Sequence, residues 1–442
     1  MSPKKYFLVL ILLCLLLIGF SAFLPLLSYQ EVRRALIVQE SFLNRTFIPT
    51  LNGEPYFTKP PLYTWLTIPL FALGHIWEVE IFSLRFFSIL CYIGTTYLIY
   101  LILQRNLSKT LLALLILFSS FRFTSFINRI DLEPLFIFFT TLSFYFFLRY
   151  RDRESTKDAL LFYISFALAF LVRGPLHFFL IPAFFLISLL TKEKAIFRLL
   201  FFLPGWVSFI LIVSPWFLYG YLTYGKEVFQ QLLHTDIGER LFTRSDPFYY
   251  YFKAFALNFL PFILLLLWRI KILRKTLREF SSEDKVYLAS FIVPLILLSI
   301  TGEKFDKYLL FLYPISALFF TNILLRLYNE KFLYTWGIVL VTLNLSIIIL
   351  SNFYHREELL LKTALWKKTL SPKKECYLYR EFNPLAPYIL KRPCPLLKEV
   401  IPKNNIKTDS ILLSPTLINE ITPKFVLPDP YKRGKIWYVY VN

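Results

Sequence analysis

The chain has 442 residues, 57% of them hydrophobic and 19% aromatic, with a formal net charge of +20. A water-soluble protein of this size could not hide that much apolar surface. Repeated apolar runs of about 17–24 residues between short charged loops point instead to an all-α polytopic membrane protein, in which the excess of cations suits cytoplasmic loops facing anionic lipid rather than nucleic acid.

The first apolar run, Tyr6 to Leu27, follows Lys4 and Lys5. It is long, and no small-residue cleavage site follows it, so it reads as a span and not as a cleaved signal. Residues 31–43, EVRRALIVQESFL, then give a short helix lying along the membrane. Val32, Ala35, Leu36 and Phe42 share an apolar face, and Glu31, Arg33, Arg34 and Gln39 a polar one. In residues 52–66, NGEPYFTKPPLYTWL, Pro60 and Pro61 suit a second helix start, and Gly74 suits its end. Its helical part reaches only ~21 Å against a hydrocarbon core of ~30 Å, so it lies along the outer face, with Lys59 at its mouth.

Further on, the basic loops Arg105 to Lys109, Arg149 to Lys157, Lys192 to Arg198, Arg269 to Arg278 and Arg326 to Lys331 are expected in the cytoplasm. That places spans at roughly 6–28, 81–103, 109–127, 134–150, 158–173, 175–191, 199–222, 252–268, 286–301, 307–325 and 332–350, about eleven in all, with the N-terminus cytoplasmic. Residues 1–350 then form the membrane domain. Residues 351–442 are more polar, carry short β-rich runs such as WYVYV, and read as a small extracytoplasmic α/β domain. Cys376 and Cys394 lie in it, where a disulfide is permitted. The segment between them has a strand-like start and a helix-like middle that could bring its ends together. Cys14 and Cys91 lie in spans, where a thiol acts as a small apolar group.

The outer loops of this arrangement are rich in charge. They hold the run from Asn128 through Asp131 to Glu133, then Arg173-Gly174-Pro175, then Glu303-Lys304-Phe305-Asp306-Lys307-Tyr308, and a longer loop with His234, Asp236, Glu239 and Arg240. With Glu31, Arg33 and Lys59, they gather carboxylates and cations on one membrane face. Such a set suits a phosphate carried on a lipid. Lys and Arg would bind the phosphate and stabilise charge developing on it as a leaving group, and carboxylates would orient or deprotonate an acceptor hydroxyl. No Walker-type glycine loop is present, which argues against a soluble nucleotide site. His234 could join Asp236 or Glu239 on a divalent metal, but the spacing matches no strong metal signature, so a metal is not indicated and no cofactor is expected.

Residues 29–66, YQEVRRALIVQESFLNRTFIPTLNGEPYFTKPPLYTWL, resemble the amino-terminal region of the bacterial protein-mannosyltransferase-like superfamily, whose best-known bacterial members are lipid A aminoarabinose transferases. The resemblance extends to Glu133-Pro134, Arg173-Gly174-Pro175, Ser214-Pro215-Trp216, the Arg240 region and Lys304 through Pro314. It implies a GT-C fold: a membrane helical module of about eleven spans, two juxtamembrane helices and a periplasmic domain, in a bacterial inner membrane. It also implies inverting transfer of a sugar from an undecaprenyl-phosphate donor to a lipid A, glycolipid or protein acceptor. On this reading Lys59 lies near the donor phosphate. Arg33, Tyr56, Arg173, Arg240, Lys304, Lys307 and Tyr308 are further substrate contacts, and Glu31, Glu133 and Asp131 are the candidate catalytic carboxylates.

The chain departs from the family pattern at Gln30, which stands where the family has its first catalytic Asp and cannot act as a base. Glu31 keeps the family's second acidic position, Glu133 stands where the family usually has Asp, and Arg173 replaces a family Lys. Two other readings compete: an O-antigen ligase or polymerase-like enzyme, and a non-catalytic carrier of lipid-linked sugar. The Lys-Pro-Pro element argues against the first. Charges gathered at one surface, and not near the membrane midplane, argue against the second.

Overall fold

A computed structural model describes residues 3–21, 24–226, 228, 230, 246–370, 375–398, 410–418 and 422–441. Helices dominate. Among the described residues six stretches are long and apolar enough to cross a membrane: Pro3–Phe20, Glu80–Ile102, Lys194–Tyr224, Tyr250–Trp268, Asp306–Leu327 and Glu330–Leu370. Shorter apolar helices cover Leu62–Ile76, Leu107–Ser119 and Pro175–Thr191. The chain is a multi-span membrane protein.

Local chemistry explains where elements break. One span was expected over 109–127, but the helix Leu107–Ser119 stops there and a separate turn of helix covers Phe121–Ser125. Ser120 makes the break. Its hydroxyl accepts the Phe123 N–H as a cap, and the Thr124 hydroxyl donates back to the Phe118 carbonyl. Helix Leu62–Ile76 begins directly after Pro60-Pro61, as expected, but continues past Gly74. A Cβ on Gly74 would lie 2.2 Å from Ser83 Oγ and 2.9 Å from Glu80 Cα, so the glycine permits close approach to the helix that follows and does not end its own.

Two compact units are present, one gathering Met1–Ile18, Phe57–Tyr63 and Ser88–Ile348, the other Gly19–Tyr56, Thr64–Phe87 and Ile349–Asn442. In the second unit the helix Tyr29–Asn44 starts at Ser28, whose side chain caps the Glu31 N–H. The polar face expected along this helix is not exposed: Glu31, Arg34, Gln39 and Glu40 are buried along with its apolar residues. Buried polar groups need partners, and Glu40 finds three. Its carboxylate accepts from the Thr50 hydroxyl at 2.8 Å, the Asn52 N–H at 2.8 Å and the Gly53 N–H at 3.1 Å. Those donors belong to a small hairpin of β1 (Thr50–Leu51) and β2 (Glu54–Pro55), turned by Asn52 and Gly53 at φ 59 and 82. Positive φ at both positions is what favours Asn-Gly in such turns.

The same unit holds a five-stranded sheet. Strands β3 (Glu375–Tyr379), β4 (Leu396–Leu397), β5 (Ser410–Ser414), β6 (Phe425–Pro428) and β7 (Ile436–Val441) run in the order β4-β3-β5-β7-β6. β3 is parallel to β4 and β5, and the pairs involving β7 are antiparallel. Tyr379, Leu412, Ile418 and Tyr440 form one buried cluster against it. The Cys376–Cys394 bond is formed, with Cα atoms 4.7 Å apart, and the short helix Leu385–Leu390 lies in the loop it closes. Asn52 docks on the second cysteine, donating its amide to the Cys394 carbonyl and accepting the Cys394 N–H, each at 2.7 Å. Replacing both bonded cysteines by serine should lower stability by about 3 kcal/mol, the chain-entropy value for a loop of this size. Thermal melts of the full-length protein check this, and an unchanged midpoint would show that the loop closure contributes nothing.

Candidate active site

In the first unit three separate segments bring charges together. Helix Glu133–Arg153 and helix Thr156–Arg173 form an antiparallel pair joined by a two-residue link, so the start of one meets the end of the other. At that meeting point Arg173 Nη1 lies 2.7 Å from Glu133 Oε1, and both side chains are almost completely buried. Gly174, at φ 84 and ψ −155, turns the chain away immediately after, a conformation that glycine alone adopts cheaply.

The 3₁₀ turn Asp306–Leu312 supplies the third segment. Lys307 Nζ sits 3.4 Å from both Asp131 Oδ2 and Glu133 Oε1. The Tyr308 ring centroid lies 4.5 Å from the guanidinium carbon of Arg173. Asp131 also accepts the N–H of Leu132 at 2.8 Å through its other oxygen. Asp131, Glu133, Arg173, Lys307 and Tyr308 therefore meet. Burial pushes the Glu133 carboxyl upward, the Arg173 charge opposes it, and Asp131 adds to the rise; the net direction is up.

A second layer fixes that turn. Asp306 accepts from Arg122 Nη2 at 2.6 Å and from the Tyr250 hydroxyl at 2.5 Å. Asn258 Oδ1 in turn accepts the Ser120 hydroxyl and the Arg122 N–H, each at 3.0 Å. Of these residues, sequence reasoning had quoted only Asp306. The others lie far apart in sequence, and nothing local marks them.

Lys304 is held by backbone. Its ammonium donates to the carbonyls of Asp246 at 2.8 Å, Thr301 at 2.5 Å and Gly302 at 3.4 Å, just after helix Ser282–Ile300. Burial draws its pKa downward, with Asp246 opposing.

Lys59 is also buried, at 9% exposure. Its segment is anchored two residues earlier by Phe57, which is fully buried and packs on Trp216 at 5.9 Å and Tyr224 at 5.5 Å. Gly220 leaves room for that ring: a Cβ there would sit 3.2 Å from Phe57. Two motifs far apart in sequence, Tyr-Phe-x-Lys-Pro-Pro and Ser-Pro-Trp, thus meet through the Phe57–Trp216 contact.

In the second unit Glu31 is 1% exposed and lies 3.5 Å from Arg85 Nη2. It accepts the Leu27 N–H, and Arg85 donates to the carbonyls of Leu24 and Pro25, each at 2.5 Å. Its carboxylate thus helps hold the approach to its own helix. Gln30 beside it is exposed. Arg85 escaped notice, although a lone arginine inside an apolar run is itself a signal. Arg33 and Tyr56 do meet, with the guanidinium carbon 5.2 Å from the ring centroid, and Arg34 donates to the Tyr56 hydroxyl at 3.2 Å. Arg240, His234, Asp236 and Glu239 lie outside the described residues. Among the described residues no three of His, Cys, Asp and Glu are gathered as a metal site.

Residues 58–219 match the family described as dolichyl-phosphate-mannose-protein mannosyltransferase. Two uncharacterized proteins of Aquifex aeolicus (strain VF5) are similar over most of the chain. One is 31% identical over 365 residues, spanning 78% of this chain and 70% of the relative. The other is 26% identical over 349 residues, spanning 78% of each. The crystal structures of ArnT from Cupriavidus metallidurans, bound to undecaprenyl phosphate and in the apo state, each match with a TM-score of 0.79. They cover 99% of this chain and 98% of their own, at 12% and 14% identity, a likeness of fold.

Proposed function

Because the chain belongs to the protein-mannosyltransferase-like superfamily of GT-C glycosyltransferases, we propose that it moves a sugar from an undecaprenyl-phosphate donor to an acceptor on the periplasmic face of a bacterial inner membrane, with inversion. The observation that carries this reading is the meeting of Asp131, Glu133, Arg173, Lys307 and Tyr308 from three separate segments.

An acceptor oxygen attacks the anomeric carbon, the bond from that carbon to the donor phosphate oxygen breaks, and the lipid phosphate leaves with the electron pair. Lys59 and Lys307 offset the charge gathering on it. Arg173, clamped by Glu133 and stacked on Tyr308, fixes the wall of the site. Asp131, less buried than Glu133 and 3.4 Å from Lys307, takes the proton where the acceptor is a hydroxyl.

Glu31 helps hold the approach to its own helix, and Gln30 cannot act as a base. An acceptor that needs no strong base suits this chain best, and a phosphate is already ionised at neutral pH. A phosphate-bearing glycolipid, lipid A among them, therefore fits better than a protein hydroxyl. The test supplies purified protein with an undecaprenyl-phosphate sugar and either a phosphate-bearing glycolipid or a hydroxyl peptide. Sugar-modified glycolipid and undecaprenyl phosphate should appear in equal amounts. Donor that stays intact, or that only changes leaflet, would overturn the reading.

A further inference from the structure

Helix Ile270–Arg278 follows the span Tyr250–Trp268 after a single intervening residue, Arg269. Its nine residues, IKILRKTLR, include Lys271, Arg274, Lys275 and Arg278 and no acid. At about 100° per residue the four cations fall within one arc of roughly 100°, and the isoleucines, leucines and threonine fill the remainder. All four cations are exposed. On the other side Thr276 is buried against the protein, while Ile270, Ile272 and Leu277 stay exposed at 38%, 44% and 45%. At the junction Trp268 is 84% exposed. The junction is fixed, because Arg269 lies 5.4 Å from the Tyr328 ring and the Tyr328 hydroxyl donates to the Leu265 carbonyl at 2.7 Å.

A helix with exposed aliphatic flanks and an exposed cationic face, set at the end of a membrane span, needs surroundings that are apolar on one side and anionic on the other. Water offers neither. We propose that this helix lies in the headgroup layer and binds anionic phospholipids, its Lys/Arg face meeting the phosphates and Ile270, Ile272, Leu277 and Trp268 entering the acyl boundary. The inference rests on this helix alone and stands whether or not the chain transfers sugar. Attraction of a surface cation to an anionic leaflet changes relative lipid affinity by about fivefold per Lys or Arg, and the effect weakens with salt.

The experiment uses full-length protein in nanodiscs, carrying Cys14→Ser, Cys91→Ser and Leu277→Cys, with a fluorophore attached at position 277. Phosphatidylglycerol or phosphatidylcholine bearing a headgroup spin label is added at equal fraction. The phosphatidylglycerol probe should quench severalfold more strongly at low salt, and less so as salt rises. Its advantage should vanish when Lys271→Gln, Arg274→Gln, Lys275→Gln and Arg278→Gln are combined, and should persist in Lys271→Arg with Lys275→Arg. A thermal midpoint confirms that the fourfold variant is folded. Were it not, Lys271→Gln with Lys275→Gln should still give partial loss. Equal quenching by the two lipids, quenching by neither, or an advantage that survives neutralisation would overturn the proposal.

Discussion

Lys59→Ala should lower sugar transfer by about 10²–10³-fold, the usual loss when one preorganised donor to a developing oxyanion is removed, while the thermal midpoint moves little. Lys59 is only 9% exposed. The chain keeps it there at the end of a segment that Phe57 pins on Trp216 and Tyr224 and that Pro60 and Pro61 turn into a helix. A lysine on so firm a mount, beside the Lys-Pro-Pro element, suits contact with the donor phosphate in the proposed reaction. Lys59→Arg retains the charge but alters its shape and should recover only part of the rate. Initial rates against donor concentration, taken alongside melts, check both variants. Near-normal transfer by Lys59→Ala would sink the donor-phosphate role.

Much of this was legible because it depends on local chemistry. The Pro-Pro start of helix Leu62–Ile76, the apolar runs, the strand and helix between Cys376 and Cys394, and the charged segment from Glu303 to Tyr308 each announce themselves within a few residues. What was missed depends on distant partners. Helix Tyr29–Asn44 has an amphipathic pattern, so Glu31, Arg34 and Gln39 read as one polar face; the Arg85 that meets Glu31 lies more than fifty residues away. Gly74 read as a helix stop because packing against Ser83 is invisible in a linear sequence. Lys304 reads as a substrate contact from the family resemblance, and its hydrogen bonds to three backbone carbonyls have no local signal in the sequence. Ser120 divided an apolar run that hydropathy alone treats as continuous.

Arg173→Ala should destabilise the protein by about 3–5 kcal/mol, the range for removing one member of a buried ion pair. Glu133 is 1% exposed and its carboxylate lies 2.7 Å from Arg173. Without the guanidinium, the cation left beside it is Lys307 at 3.4 Å, a looser and more exposed partner. Tyr308 loses its stacking cation in the same step, so the turn that carries Lys307 should loosen and transfer should fall with stability. Glu133→Ala should act comparably by leaving Arg173 buried without its carboxylate. If the two residues act as one unit, removing both leaves no uncompensated charge, and the double variant should be less destabilised than the sum of the singles. Melts of the two single variants and the double variant give the coupling. Simple additivity would show that the pair is not the clamp described. Transfer that recovers with stability in the double variant would show that the pair acts by holding the site together, whereas a stable double variant that stays inactive would put Arg173, Glu133 or both at the substrate itself.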